Sequence, residues 1–217
     1  MQPPSERNSG LPLLLFVALL VAFFAAWPLI SDPGFLNTRG GGDSPFLLQR
    51  LHQLETALRG GHFPARWMPD ANYGFGYPFY NYYAPLSIYA AAFFRLLGFS
   101  AVRAIESAQI IGFLLAAGGI YLLADRWFQH RWAALLASVA YTTAPFHLVN
   151  VYVRGDSLAE FWAMALYPWV ILAADRLLAG HESFPYGRVA AFAAAYAALI
   201  LSHNISALIF TPFLLLY

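Results

Sequence analysis

Charge in this chain is gathered into narrow clusters, and the stretches between them are long and apolar. Residues 11–30 hold no ionisable side chain and are long enough, as a helix, to cross a hydrocarbon core of roughly 30 Å. Similar runs, nearly free of charge, fall at residues 105–124, 132–149, 159–174, 189–201 and 205–217. A backbone crossing lipid must satisfy its own hydrogen bonds, and without an alternating strand pattern the helix is the form that does so. The composition agrees: 60% of the 217 residues are hydrophobic and only 11% are charged, too few to cover a soluble domain of this size. The chain therefore reads as an all-α, polytopic transmembrane helix bundle.

Two compositional facts exclude whole classes of function. There is no cysteine, which removes disulfides, thiolate metal sites and cysteine nucleophiles. A net charge of +1 carries no nucleic-acid footprint. The first apolar run is longer than a signal-peptide core and no small-x-small cleavage site follows it, so it reads as a retained helix. The last run, 205–217, ends without a polar tail, and the chain is expected to be the N-terminal part of a longer membrane protein.

Residues 31–83 form a polar loop between the first span and the rest. Within it, DSPFLLQRLHQLETALR (43–59) has helical periodicity, with Leu47, Leu51, Leu54 and Leu58 on one stripe and Arg50, Gln53 and Glu55 off it. Gly60-Gly61 ends it. Its polar side forbids spanning, so an amphipathic helix on the membrane surface or against the bundle is expected. Pro64 to Tyr89 follows, dense in aromatics, and suits an interfacial belt, with a lipid-chain or sugar-stacking surface as the sharper alternative. Residues 85–98 carry Arg95 and, at about 21 Å as a helix, are too short to cross. They are expected to form a juxtamembrane helix. The spans then alternate so that DRWFQHR (125–131) and DRLLAGHESFPYGR (175–188) share one side with the N-terminus. The positive-inside rule makes that side cytoplasmic, in a plasma-membrane protein.

That topology puts Asp43 and the segment Arg154-Gly-Asp156-Ser-Leu-Ala-Glu160 on one face. Asp43 follows three glycines. It can cap the amphipathic helix, as Ser44 also can, or it can serve as a carboxylate that takes a proton or holds a cation. Asp156 and Glu160 are four apart and share a helix face. Ser157 with Glu160 fits a capping box, which leaves Arg154 and Asp156 unexplained. Arginine at a membrane edge suits phosphate oxygens, and two carboxylates suit Mg²⁺ or Mn²⁺. Arg103 and Glu106 are spaced to pair with each other. His147, Asn150, His203 and Asn204 interrupt apolar runs and read as hydrogen-bonded packing residues. Asn204-Ile-Ser206 matches a glycosylation sequon in an apolar setting.

In order, GGDSPFLLQRLHQLETALRGG, FPARWMPDANYGFGYPFYNYYAPLSIY and RGDSLAE resemble the plan of GT-C polytopic glycosyltransferases. The W-x-P-D and G-x-G-Y-P-x-x-x-Y-Y-x-P strings are most similar to bacterial membrane proteins labelled "6-pyruvoyl-tetrahydropterin synthase-related domain". The histidine zinc site and β-rich fold of a soluble pterin synthase have no counterpart in the sequence. The resemblance spans nearly the whole chain. It implies a GT-C-like bundle that transfers sugar from a polyprenyl-phosphate-linked donor outside the cytoplasm. By the same resemblance Asp43 is the catalytic carboxylate, Arg154 holds the donor phosphate, and Asp156 or Glu160 contacts acceptor or metal. Any Mg²⁺ or Mn²⁺ would sit on Asp43 and Asp156. Asp43 stands alone where several GT-C members have two adjacent acids or a D-x-D. The alternative is a non-catalytic protein of the same architecture: a carrier or flippase for lipid-linked saccharide, or an envelope assembly factor.

Overall fold

The computed structural model describes residues 11–32, 34, 44–154, 157–179 and 186–217. The elements are helices α1 (Leu11–Ala25), α2 (Pro28–Ser31), α3 (Ser44–Arg59), α4 (Phe79–Tyr82), α5 (Leu86–Leu96) and α6 (Ala101–Phe128). Then come α7 (Arg131–Thr142), α8 (Pro145–Leu148), a π-helical turn (Val149–Val153), α9 (Leu158–Leu178), α10 (Tyr186–Ser202) and α11 (Asn204–Leu216). Three helical stretches, 101–128, 131–153 and 158–178, are long and apolar enough to cross a membrane; 13–25, 86–96, 186–202 and 204–216 are apolar but shorter.

Two interdigitated turns set the register of α6 and α9. The Trp162 indole donates to the Ala108 carbonyl at 2.9 Å, and seven residues on, Trp169 donates to Leu115 at 2.9 Å. Gly112 and Gly119, also seven apart, make room: a Cβ on Gly112 would stand 2.4 Å from the Phe161 ring, and one on Gly119 2.6 Å from the Trp169 indole. The equal spacing on both helices means that they run parallel along one seam. α1 joins through Ala18, Ala22 and Ala26, one per turn, all fully buried. Small residues at such a seam let helix backbones approach closely in lipid.

The helices define two ends. At the first, Arg126 pairs with Asp175, Tyr217 donates to Asp175 at 2.9 Å, and Trp127 donates to Tyr217 at 3.2 Å. At the second, Arg154, Glu160 and the α10–α11 turn meet. α1 starts near the first end, where Ala18 packs with Tyr121 and Ala134, and finishes near the second, where Arg103 reaches the Leu29 carbonyl at 2.8 Å. The arginine-bearing connections after α6 and α9 thus share one end with the start of α1.

Several helices break where the sequence reads as one span. Residues 11–30 divide into α1 and α2, because Pro28 begins a new helix at its first turn. The run 132–149 divides at Thr143-Ala144, ahead of Pro145, which likewise occupies a first-turn position. Pro168, by contrast, lies inside α9 and the helix continues through it. Proline lacks the N–H that would bond the Met164 carbonyl four residues back, and the Tyr141 hydroxyl donates to that carbonyl at 2.8 Å. After Ser202 the chain reverses at His203 alone. Tyr196 and Thr211 then face each other at 2.6 Å, so α10 and α11 form an antiparallel hairpin.

At 28 residues α6 is about 42 Å long, more than a bilayer core needs. Trp162, in the first turns of α9, meets α6 at Ala108, so the turns before Ala108 project beyond the second end. There α5 packs antiparallel on α6, and α3 packs across both. Leu47, Leu51 and Leu54 are buried as the stripe requires. The polar side of α3 is covered as well. Gln53 is buried and locked to Asp70, accepting from its N–H at 2.8 Å, and Glu55 takes the Arg95 guanidinium at 2.6 Å. The expected juxtamembrane helix and amphipathic helix are therefore two parts of one cap.

Candidate functional site

Over the second end of the bundle, three groups of polar residues meet. The first is the corner at the start of α9. The Arg154 guanidinium, about half exposed, donates from Nη1 to Glu160 at 2.8 Å and to the Asn150 side chain at 3.0 Å. Ser157 stands at the N-cap without a side-chain cap bond. The capping box expected of Ser157 and Glu160 is not formed, because the Glu160 carboxylate turns to Arg154, a charged partner, in preference to a backbone N–H.

The second group is the α10–α11 turn. His203 accepts from the Ser206 N–H at 3.3 Å and shares a hydrogen with the Ser206 hydroxyl at 2.7 Å, which caps α11. Glu160 and Arg154 are the charged groups that act on its imidazole. Asn204 donates to the Tyr82 carbonyl at 3.0 Å and accepts from the Ile205 N–H, so its side chain is engaged in tying the bundle to the cap. His147 is a packing residue: it is buried, with its ring edge-on to Tyr141 and Phe161.

The third group is the cap itself. Residues 67–77 close on the paired backbones of Met68 and Tyr77, bonded at 2.8 and 3.0 Å. Gly76, at φ +79°, lies against Trp67 so closely that a Cβ would meet the indole at 2.0 Å. Asn72 and Tyr73 hold left-handed backbone at the tip, with Tyr73 fully exposed. Behind them Phe79 and Tyr83 stack at 4.7 Å and carry the Arg50 guanidinium, 5.2 and 4.6 Å from the two rings. Tyr80 is buried beneath, donating to the Arg50 carbonyl at 2.5 Å, and burial pushes its phenol well above the usual tyrosine value. The aromatic stretch is thus partly a structural clamp and partly an exposed rim.

Of the residues singled out in the sequence, Arg154 and Glu160 are brought together, and Arg103 and Glu106 pair at 3.0 Å. Asp43 and Asp156 lie outside the described residues; Asp43 immediately precedes α3, and Asp156 falls between Arg154 and Ser157. Among the described residues no group of three or more acidic or histidine side chains is arranged to hold a metal ion. Sequence reasoning placed Arg50 on the polar side of the amphipathic helix and gave it no further role. The signal that marks Arg50 is the set Phe46, Gln49 and Arg50, three and four apart beside the leucine stripe, with aromatic residues 77–83 to receive it.

The chain is similar to an uncharacterized protein of Lactococcus lactis subsp. cremoris (strain MG1363), 26% identical over 217 residues that cover 94% of this chain. It spans about a third of that relative's length (32%). No solved structure matches. The family profile described as "6-pyruvoyl-tetrahydropterin synthase related domain; membrane protein" matches residues 80–217. That match takes in Tyr80 and Tyr83 of the cap, the Arg154–Glu160 corner and every helix from α5 onward, and the chain belongs to this family of membrane proteins.

Proposed function

We propose that this chain carries the site-bearing part of a membrane glycosyltransferase of GT-C type, one that moves a sugar from a polyprenyl-phosphate-linked donor to an acceptor on the non-cytoplasmic face of the plasma membrane. One observation carries the reading. A half-exposed arginine, positioned by Asn150 and Glu160 at the edge of the bundle, lies at the same end as a polar, aromatic-lined cap. Arginine's planar fork suits phosphate oxygens, and the membrane edge is where a lipid-linked phosphate resides. Nucleotide sugars stay in the cytoplasm, so transfer on the other face calls for a lipid-linked donor.

In this scheme the acceptor hydroxyl attacks the anomeric carbon and the bond to the phosphate oxygen breaks. The electron pair leaves on the polyprenyl phosphate, and the hydroxyl proton passes to Asp43. Arg154 steadies the departing phosphate. Glu160 holds Arg154 in place and Asp156 is left for acceptor or metal; no step requires Mg²⁺ or Mn²⁺. The non-catalytic alternative, a carrier or assembly factor, draws on the engagement of Glu160 by Arg154, which gives both side chains a structural partner.

Replacing Asp43 by Asn in the full-length protein separates the two. Transfer is expected to fall by about 10² or more, as for loss of a general base, while membrane insertion is unchanged. Mass spectrometry of polyprenyl-phosphate sugars and envelope glycans, in cells with the wild-type and the variant gene, reads it. Wild-type glycans in the Asp43→Asn strain remove Asp43 from the mechanism. An unchanged glycan profile on deleting the whole gene removes the transferase reading.

A further inference from the structure

A groove of about 380 Å³ opens in the cap at the start of α3, lined by Phe46, Gln49, Arg50, Asn72, Tyr77 and Phe79 among others, and no step of the transfer scheme names its occupant. Its volume lies in the lower range of small-ligand sites. The groove is built by tertiary structure. One wall is the first turns of α3 and the other is the closed loop 67–77, held by the Met68–Tyr77 backbone pair and by the Gln53–Asp70 lock.

Arg50 is the charged member of the lining. Among the described residues it takes no carboxylate. Its guanidinium instead lies against the stacked Phe79 and Tyr83 rings and donates from Nη1 to the Tyr83 hydroxyl at 3.2 Å. Contact with the rings holds the fork and strips part of its water without neutralising its charge. A cation in that state favours an anionic partner, and its rigid fork suits two oxygens at once. The remaining lining is of another kind. Phe46 and Tyr77, each about half exposed at 52% and 48%, present flat apolar faces, and the exposed Gln49 and Asn72 amides offer donors and acceptors. Inorganic phosphate would leave the rings uncovered, and a fatty acid would leave the amides unpaired. A pyranose ring bearing an acid group meets all three demands.

We infer that this groove binds a saccharide carrying a carboxylate or phosphate, with Arg50 taking the anionic group, the aromatic faces covering the ring and the amides meeting its hydroxyls. The inference deepens the transfer reading by giving the acceptor its chemistry, and it is tested by binding alone, so that either can fail without the other. The full-length protein in neutral detergent is titrated with glucuronic acid, glucose 6-phosphate and glucose by equilibrium dialysis. At least one of the two anionic sugars is expected to bind about tenfold or more tighter than glucose, the scale of one charge-assisted contact. Arg50→Gln is expected to erase that preference. Phe46→Ala, at an exposed position, is expected to weaken all three sugars alike and to keep the preference, which separates loss of the site from loss of the fold.

Equal binding of charged and neutral sugars, or an Arg50→Gln variant that still prefers the acids, overturns the proposal. Repeating the titration in phosphatidylcholine and phosphatidylglycerol nanodiscs distinguishes a saccharide from a lipid headgroup as the source of the anion. Unchanged binding in both supports the saccharide. Displacement by phosphatidylglycerol alone assigns the groove to anionic lipid and overturns it.

Discussion

At the scale of single residues, the interior is governed by what a small side chain admits. Gly118 and Gly119 are neighbours in sequence and differ sharply in surroundings. A Cβ on Gly119 would meet the Trp169 indole at 2.6 Å, whereas one on Gly118 would meet the same ring at 3.6 Å, an ordinary contact. Gly119→Ala therefore displaces Trp169 from its bond to Leu115 and is expected to cost about 1–3 kcal/mol, as overpacking does. Gly118→Ala removes a helix-interior glycine and is expected to be neutral or stabilising by up to about 1 kcal/mol. Thermal unfolding of the two variants in detergent checks the contrast, and equal effects would contradict the seam. Nothing local in the sequence tells these glycines apart, because the difference is made by a tryptophan fifty residues away. Arg103 and Glu106 were legible for the opposite reason: their partners are three residues apart on one helix. Arg50 was not, because its partners Phe79 and Tyr83 lie across a loop.

At the scale of elements, proline has opposite consequences in different helices. Pro28 and Pro145 start new helices, while Pro168 is absorbed because a neighbour serves the carbonyl it orphans. The arrangement predicts coupling between Tyr141 and Pro168. Tyr141→Phe is expected to cost about 1 kcal/mol with Pro168 in place, the usual worth of one hydrogen bond, and markedly less in a Pro168→Ala background. There the helix N–H competes for the Met164 carbonyl. A double-mutant cycle on unfolding free energy measures it, and equal costs in both backgrounds would show that the hydroxyl has no such role. The periodicity of α3 was readable from its leucines. The covering of its polar face was not, since Gln53 and Glu55 find Asp70 and Arg95 only when the loop folds back over the helix. The break at Thr143-Ala144 was masked by an apolar run that continues through it.

At the scale of the whole molecule, hydropathy and arginine placement carried most of the architecture. They gave a short helix within 85–98 and the shared end of the two arginine-bearing connections. They could not supply the cap, whose groove and clamp depend on long-range packing between α3, the aromatic loop and α5. The functional account rests on this cap and the Arg154–Glu160 corner facing one compartment while the Arg126–Asp175 end faces the other. The chain has no cysteine, so single cysteines can report position directly in a cysteine-free full-length background. Asn72, Val153 and Gln129 are exposed positions suited to this. With a membrane-impermeant maleimide on intact cells, Asn72→Cys and Val153→Cys are expected to label together and Gln129→Cys only after permeabilisation. Labelling of positions 72 and 153 from opposite faces would contradict the account.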